Sequence, residues 1–222
     1  MIMLSHSQYA TANDLLTALK RGSSFCIVSS EPGFGLTTCM EYVRSRLRKP
    51  ALIIADHPEL AGLDVLGQLY QELYIDIEFQ NKKEIPAFVV EIVALREVST
   101  IFIDHIDMFL GSEGAKRRTV QQIKSVLTAF PSVNIVVSGL DSDVSVLQGL
   151  DGCTLHCAQI FSLKGFRDFN EYEVFFESIL ARHPRTSFTD VSLEALYNDT
   201  KGNLGNTFLR LFHPAYRYNG RD

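Results

Sequence analysis

The stretch Ser29-Ser30-Glu31-Pro32-Gly33-Phe34-Gly35-Leu36-Thr37-Thr38 decides how the chain folds, because it joins an apolar run to a helical pattern through a glycine-bearing turn. In the phosphate-binding pattern G-x-x-x-x-G-K-[ST], backbone N–H groups cradle phosphates, the Lys reaches the β- and γ-phosphates, and the Ser/Thr hydroxyl helps hold Mg²⁺. Pro32, Gly33, Gly35 and Thr37 stand where a G-P-P-G-x-G-K-T loop requires them, whereas Ser30 and Leu36 do not. The stretch therefore reads as a P-loop whose lysine is replaced by Leu36. Its setting fits that reading: the apolar run Phe25 to Ser29 precedes it and a helix begins near Leu36, whose unpaired N–H groups attract anions without any side chain. A tight strand-to-helix turn that binds nothing would use the same glycines.

Working outward, the runs Phe25 to Ser29, Ala51 to Ala55, Thr100 to Ile103 and Val133 to Val137 are short and rich in Ile, Val or Phe. They are continuously apolar, as strands buried on both faces are. Helical patterns lie between them. Thr11 followed by Asp14 resembles a capping box, Thr37 to Leu47 follows the loop, Asp64 to Tyr74 repeats apolar residues at helical spacing, and Pro86 opens another helix at its first turn. Lys116 to Phe130 is amphipathic, with Val120, Ile123, Val126 and Leu127 on one side, Arg117, Arg118, Gln121 and Lys124 on the other, and Pro131 at its end. Strands alternating with helices predict a doubly wound α/β fold, a parallel sheet flanked by helices. Past about Ser162, the segments Asp168 to Arg182, Val191 to Asn198 and Asn203 to Phe212 read as helices with no strand between them, punctuated by Pro184 and Gly202. The expected organisation is a core at 1–162 and a small C-terminal helical subdomain at 163–222.

At 222 residues, 46% hydrophobic and 21% charged, the chain suits a globular core with a small appendage. Its formal charge of -5 argues against a strong sequence-independent grip on nucleic acid by the monomer, though a local basic patch stays compatible with it. No uncharged apolar run is long enough to cross a bilayer, and Met1 to His6 lacks the basic and apolar regions of a secretion signal. A soluble, cytoplasmic protein without a membrane partner is expected. Cys26, Cys39, Cys153 and Cys157 are too few and scattered for a disulfide scaffold, so reduced thiols are expected. Cys153-Thr154-Leu155-His156-Cys157 could form half of a zinc site, but no second ligand pair stands near it in sequence.

Two further stretches carry candidate chemistry. Thr100-Ile101-Phe102-Ile103-Asp104-His105-Ile106-Asp107 resembles a Walker B segment, an apolar strand that delivers Asp104 toward Mg²⁺ at its end. Gly33, Phe34, Gly35, Leu36, Thr37, Thr38 and Asp104 are thus the candidate nucleotide contacts, with Thr37 and Asp104 the candidate Mg²⁺ ligands. His105 could act as a base near its unperturbed pKa of about 6.5, or simply be hydrogen-bonded at the strand end. Val133 to Gly139 looks like a sensor strand in which Ser138 addresses a γ-phosphate or water; a core strand ending in a turn has the same composition. Lys116, Arg117, Arg118 and Lys124 could contact a polyanion, and Arg117 and Arg118 could serve a neighbouring subunit's nucleotide as arginine fingers; a solvated helix face has the same charge.

Together these segments resemble the TniB-type transposition ATP-binding proteins of the AAA+ superfamily, relatives of the transposon target-selection ATPases. The resemblance runs through Asp104 to Ser112, Arg117-Arg118, Ile123-Lys124 and Ser138-Gly139-Leu140. It continues through Phe161-Ser162-Leu163 with Asp168 to Leu180, Leu193 to Tyr197, Lys201-Gly202-Asn203-Leu204-Gly205 and Leu209-Arg210-Leu211. It implies a C-terminal helical lid, ATP or ADP with Mg²⁺ as ligand, assembly on DNA as a self- or hetero-oligomer, and a transposase as partner. The departures fall at the chemistry: Leu36 replaces the P-loop Lys, His105 stands where AAA+ ATPases usually carry a Glu that polarises water, and Ala158-Gln159-Ile160-Phe161 lacks the Arg that often precedes the Phe. Loss of the lysine removes a contact worth roughly 1.5–3 kcal/mol, about tenfold to a hundredfold in affinity. Phosphoryl transfer depends on positioned charge and suffers more. Three functions stay open: a degenerate assembly module with weak or no ATP hydrolysis, an active ATPase in which Arg44, Arg48 or a neighbour's Arg117 supplies the missing charge, and an interaction scaffold that uses no nucleotide.

Overall fold

The protein is described by a computed structural model covering residues 2–22, 24–54, 62–75, 84–150, 158–182 and 192–212. Five parallel strands, β1 (Phe25–Ser30), β2 (Ala51–Ile54), β3 (Thr100–Ile103), β4 (Asn134–Leu140) and β5 (Ala158–Leu163), lie in the order β2-β3-β4-β1-β5. Helices α1 (His6–Arg21), α2 (Leu36–Arg46), α3 (Val65–Glu72), α4 (Ala87–Leu95) and α5 (Glu113–Ala129) accompany the sheet, with the short α6 (Asp141–Val144) after β4.

Strand alternation sorts the core. Phe25 and Ile27 of β1, Ile101 and Ile103 of β3, and Ile135 and Val137 of β4 share one buried cluster with Leu66 and Leu69 of α3, Val89 and Val93 of α4, and Ile123 and Val126 of α5. The intervening residues Cys26, Val28, Phe102 and Val136 pack on the other face with Ala12 and Leu15 of α1 and Met40 and Val43 of α2. The period of two in a strand sends neighbours to opposite faces, so a strand covered by helices on both sides must be apolar throughout. Burial pushes the free thiols of Cys26 and Cys39 up, to about 12 and about 11, where they stay protonated as small core hydrophobes. Cys153, His156 and Cys157 lie outside the described residues.

Three local expectations change. Helix α1 begins at His6, not at a Thr11–Asp14 cap: Ser5 Oγ accepts from the Gln8 N–H and Gln8 Oε1 accepts from the Ser5 N–H, a reciprocal box that satisfies the first donors well before Thr11. Pro86 is the N-cap of α4 rather than its first helical residue, a place where its missing N–H is equally harmless. The fifth strand, β5, falls where the sequence suggested none. It is an edge strand paired only with β1 among the described strands, and Gln159 and Ile160 face outward, Ile160 being 72% exposed.

Three further helices, α7 (Phe169–Leu180), α8 (Leu193–Thr200) and α9 (Leu204–Phe212), share a separate cluster around Tyr172, Phe175, Phe176, Leu196 and Leu211. They are tied back to α1 through Glu171, whose carboxylate accepts from the Ser7 N–H at 2.9 Å, from the Ser7 hydroxyl, and from the Arg167 N–H at 2.9 Å. Burial pushes this carboxyl up, but those hydrogen bonds, aided by the charge of His6, hold it below its ordinary value. A depressed folded value means the tie is complete above the unfolded pKa of about 4.3 and is lost as pH falls through the folded one. Acid titration followed by near-ultraviolet circular dichroism is expected to show Glu171→Gln with a flatter loss of stability below about pH 4.3 than the parent, and no difference from the parent would refute the tie.

Candidate functional site

The loop between β1 and α2 takes its shape from Gly33 (φ 82°) and Gly35 (φ 77°), both in the left-handed region that other residues enter at a penalty. Three consecutive carbonyls of the loop are held from outside it. Asn203 Nδ2 donates to Pro32 O at 2.7 Å, the Gly205 N–H donates to Gly33 O at 2.8 Å, and Gln8 Nε2 donates to Phe34 O at 2.9 Å. A Cβ on Gly33 would strike the Asn203 amide and one on Gly35 the Gln8 amide, so the glycines also permit these approaches. In a trans peptide the N–H opposes the C=O, and each tether therefore turns an N–H of the loop the other way. The first amides of α2, at Leu36, Thr37 and Thr38, have no intrahelical acceptor, as at any helix start. This backbone is arranged as an anion cradle.

The side chains around it are arranged otherwise. Leu36 is 8% exposed and belongs to the buried cluster of Val28, Cys39 and Val136. A cleft of about 390 Å³ opens beside the loop, lined by Gly33, Gly35, Leu36, Thr37 and Thr38, by His105 and Asp107 after β3, and by Leu204, Gly205 and Phe208 of α9. Among its described lining residues there is no Lys or Arg, while Glu31 and Asp107 bring carboxylates. Ser30 Oγ is buried there without a protein partner. Phe34 does not line the cleft; its ring lies where a Cβ on Gly165 would be.

Asp104 sits just past β3, its N–H bonded to Ile54 O at 2.8 Å, and is 2% exposed. Its Oδ1 accepts a short hydrogen bond from Ser138 Oγ and another from the His105 N–H at 3.1 Å, and its Oδ2 lies 3.5 Å from Arg44 Nη1. His105 is left-handed (φ 52°, ψ 57°), and its Nε2 is 3.3 Å from Thr37 Oγ1. A Mg²⁺ ligand needs free oxygen lone pairs, and Mg²⁺ demands near-ideal octahedral geometry. Here the Asp104 oxygens are engaged by Arg44, Ser138 and the backbone, and the Thr37 hydroxyl by His105. A Mg²⁺ held by Asp104 and Thr37 would share them with these partners, using the lone pairs still open on Asp104 Oδ2 and Thr37 Oγ1.

The sequence candidates thus separate. Gly33, Gly35, Leu36, Thr37, Thr38 and His105 meet at the cleft, with Asp104 and Ser138 paired behind it. Arg44, a possible substitute for the P-loop lysine, is turned to Asp104, and Arg48 lines a different cleft at the opposite end of the sheet. Lys116, Arg117, Arg118 and Lys124 lie on α5 outside the described lining of the loop cleft, Lys116 being paired with Glu113 at 2.7 Å. The tethering residues Gln8, Asn203 and Gly205 were not singled out as site residues by the sequence. Gln8 carried a local signal in the Ser5-x-x-Gln8 box, and Asn203 and Gly205 lie in the Gly202-x-x-Gly205 helix start that the sequence marks, with nothing there to point to the loop.

No family model and no curated protein matches the sequence. Solved structures do match the fold. ORC1 of Aeropyrum pernix, solved in complex with DNA, superposes with a TM-score of 0.61 at 13% identity over 93% of this chain and 58% of its own. Hsp104 of S. cerevisiae, solved with casein, gives 0.58 at 16% identity over 92% of this chain and 36% of its own. A Walker-type ATPase of Pyrococcus abyssi gives 0.54 at 13% identity, covering 90% and 67%. The chain spans little more than half of ORC1 and about a third of Hsp104. At such identities the likeness carries the fold alone, a five-stranded parallel sheet flanked by helices.

Proposed function

We propose that this chain is a degenerate AAA+ module that serves as a regulatory or assembly factor in DNA transposition or a related mobile-element process, with weak or no ATP hydrolysis. One observation carries the reading of weak or absent hydrolysis: the described residues lining the loop cleft include no Lys or Arg, and the Arg44 guanidinium is directed to Asp104 at 3.5 Å. Phosphoryl transfer is catalysed almost entirely by positioning and charge, and the P-loop cation is missing from the arrangement. The resemblance to TniB-type proteins supports the transposition context and points to a transposase, DNA and further AAA+ subunits as partners. The AAA+ fold shared with ORC1, which was solved with DNA, is compatible with that context.

A nucleotide-independent scaffold is favoured by a second observation, the tethers from Gln8, Asn203 and Gly205 that hold the loop in shape with protein groups alone. Calorimetry with ATP and ADP in Mg²⁺ separates the two readings: micromolar binding supports the degenerate module and excludes the scaffold. In the same titration Leu36→Lys is expected to raise affinity about tenfold to a hundredfold, the lysine running its stem along the core and its ammonium into the cleft. Phosphate release should remain at the blank for both proteins. Turnover by the parent at an ordinary AAA+ rate, abolished by Asp104→Ala, would overturn the proposal. Gel filtration with the transposase of the same element tests the assembly role, for which failure to co-migrate at micromolar concentration counts against it.

A further inference from the structure

A larger cleft, of about 900 Å³, lies at the other end of the sheet, where β3 and β4 begin with Thr100 and Asn134. Its walls are the face of α1 that carries Tyr9, Asn13, Leu16 and Lys20, and the C-terminal part of α2. Lys20, Arg46, Arg48 and Lys49 bring four cations to it, and no Asp or Glu is among its described lining residues; Asp14 and Glu41 of the same helices stand outside that lining. All four cations are exposed, and none has a carboxylate partner among the described residues. Basic residues often decorate helix C-termini to offset the macrodipole, but two helix ends supply only about half a negative charge each against four formal positive charges. Arg48 and Lys49 also lie beyond the end of α2.

The cleft is aromatic as well as basic. Tyr9 and Tyr42 meet edge to face at 5.9 Å between ring centroids, the Arg46 guanidinium lies 5.1 Å over the Tyr42 ring, and Tyr9 remains 49% exposed. The polar groups of Asn13 and Tyr42 and the charge of Arg46 hold the Tyr9 phenol below its ordinary pKa. A positive groove bordered by an open ring is what a single nucleic-acid strand uses, its phosphates meeting cations while bases stack on aromatic faces or on arginine planes. An acidic peptide would satisfy the cations but leave the tyrosine face without a stacking partner. The net charge of -5 makes this concentration of positive charge a local feature rather than a consequence of composition.

We propose that the cleft between α1 and the C-terminal part of α2, formed by Lys20, Arg46, Arg48 and Lys49 with Tyr9 and Tyr42, binds a short segment of single-stranded nucleic acid. The site is remote from the phosphate loop, and its occupancy does not depend on whether that loop takes nucleotide. With three or four phosphates contacted, affinity for a fluorescein-labelled oligothymidylate of roughly 20 nucleotides should fall about 20- to 50-fold between roughly 50 and 200 mM salt. Arg48→Glu with Lys49→Glu should weaken binding at least about tenfold and flatten the log–log salt slope by about 1.4. Lys20→Glu should weaken it separately, and Tyr9→Ala about fivefold or more where Tyr9→Phe does not. Arg117→Glu with Arg118→Glu on α5 should leave it within about twofold. Fluorescence anisotropy reads all of these, with circular dichroism confirming that each variant is folded. Absence of binding at the lower salt, unchanged affinity in both charge-reversal variants, or equal binding of a hairpin duplex or of polyglutamate would overturn the assignment.

Discussion

Tyr172→Ala is expected to loosen the C-terminal helices by about 3–5 kcal/mol, the range for truncating a large buried aromatic. Tyr172 is fully buried, with Phe176 at 4.6 Å, Tyr197 at 5.0 Å and Phe166 at 5.2 Å between ring centroids. Removing it leaves a cavity that three rings on different segments cannot collapse together to fill. Its hydroxyl also donates to Thr207 Oγ1 at 3.1 Å, and Thr207 in turn donates to Asn203 O at 2.8 Å. Asn203 is the residue that holds the Pro32 carbonyl, so a loss at the centre of this cluster reaches the phosphate loop. If the whole chain melts as one unit, the midpoint should drop by about 6–20 °C. If the helices open locally, amide exchange should rise across α7 to α9 first while the sheet stays protected. Tyr172→Phe, which keeps the ring and the Thr207–Asn203 bond, should lose only about 1 kcal/mol. Equal losses for the two variants would show that the hydroxyl, not the packing, dominates.

What could be seen in the sequence follows from the range of each interaction. Strands β1, β3 and β4 are buried on both faces, and continuous burial writes itself as a continuous apolar run, while β2, half-buried at alternate residues, is apolar throughout as well. Strand β5 pairs along one edge and leaves Gln159 and Ile160 outside, so its sequence lacks that signature. The loop was legible because Gly33 and Gly35 serve a local need, positive φ, that few other residues meet cheaply. Its tethers were not: Asn203 and Pro32 are 171 positions apart, and neither residue type announces the other. Arg44 was weighed as a substitute for the lysine because it follows the loop on α2. Its turn toward Asp104, 60 positions away, is decided by the packing of α2 against the sheet rather than by any local pattern.

Asp104→Ala is the variant whose outcome separates an internal partner from a metal ligand. An aspartate kept free to bind Mg²⁺ contributes little to the stability of the nucleotide-free protein, and its removal shows mainly as lost turnover. Asp104 is instead surrounded by groups that need it: Arg44, which is only 18% exposed, the buried Ser138 hydroxyl, and the His105 N–H. Removing one member of a buried pair usually costs about 3–5 kcal/mol. The low end, about 3 kcal/mol, is expected here because Arg44 can swing its guanidinium toward water, which corresponds to a midpoint lowered by about 6–12 °C without nucleotide. Asp104→Asn, which can still accept from Ser138, should fall between Asp104→Ala and the parent. In the double variant Arg44→Ala with Asp104→Ala the losses should be less than additive by about 1 kcal/mol or more, as for groups in direct contact. An apo protein as stable as the parent after Asp104→Ala would instead assign the carboxylate to a ligand. It would also leave the reading of weak or absent hydrolysis resting on the missing lysine at Leu36 alone.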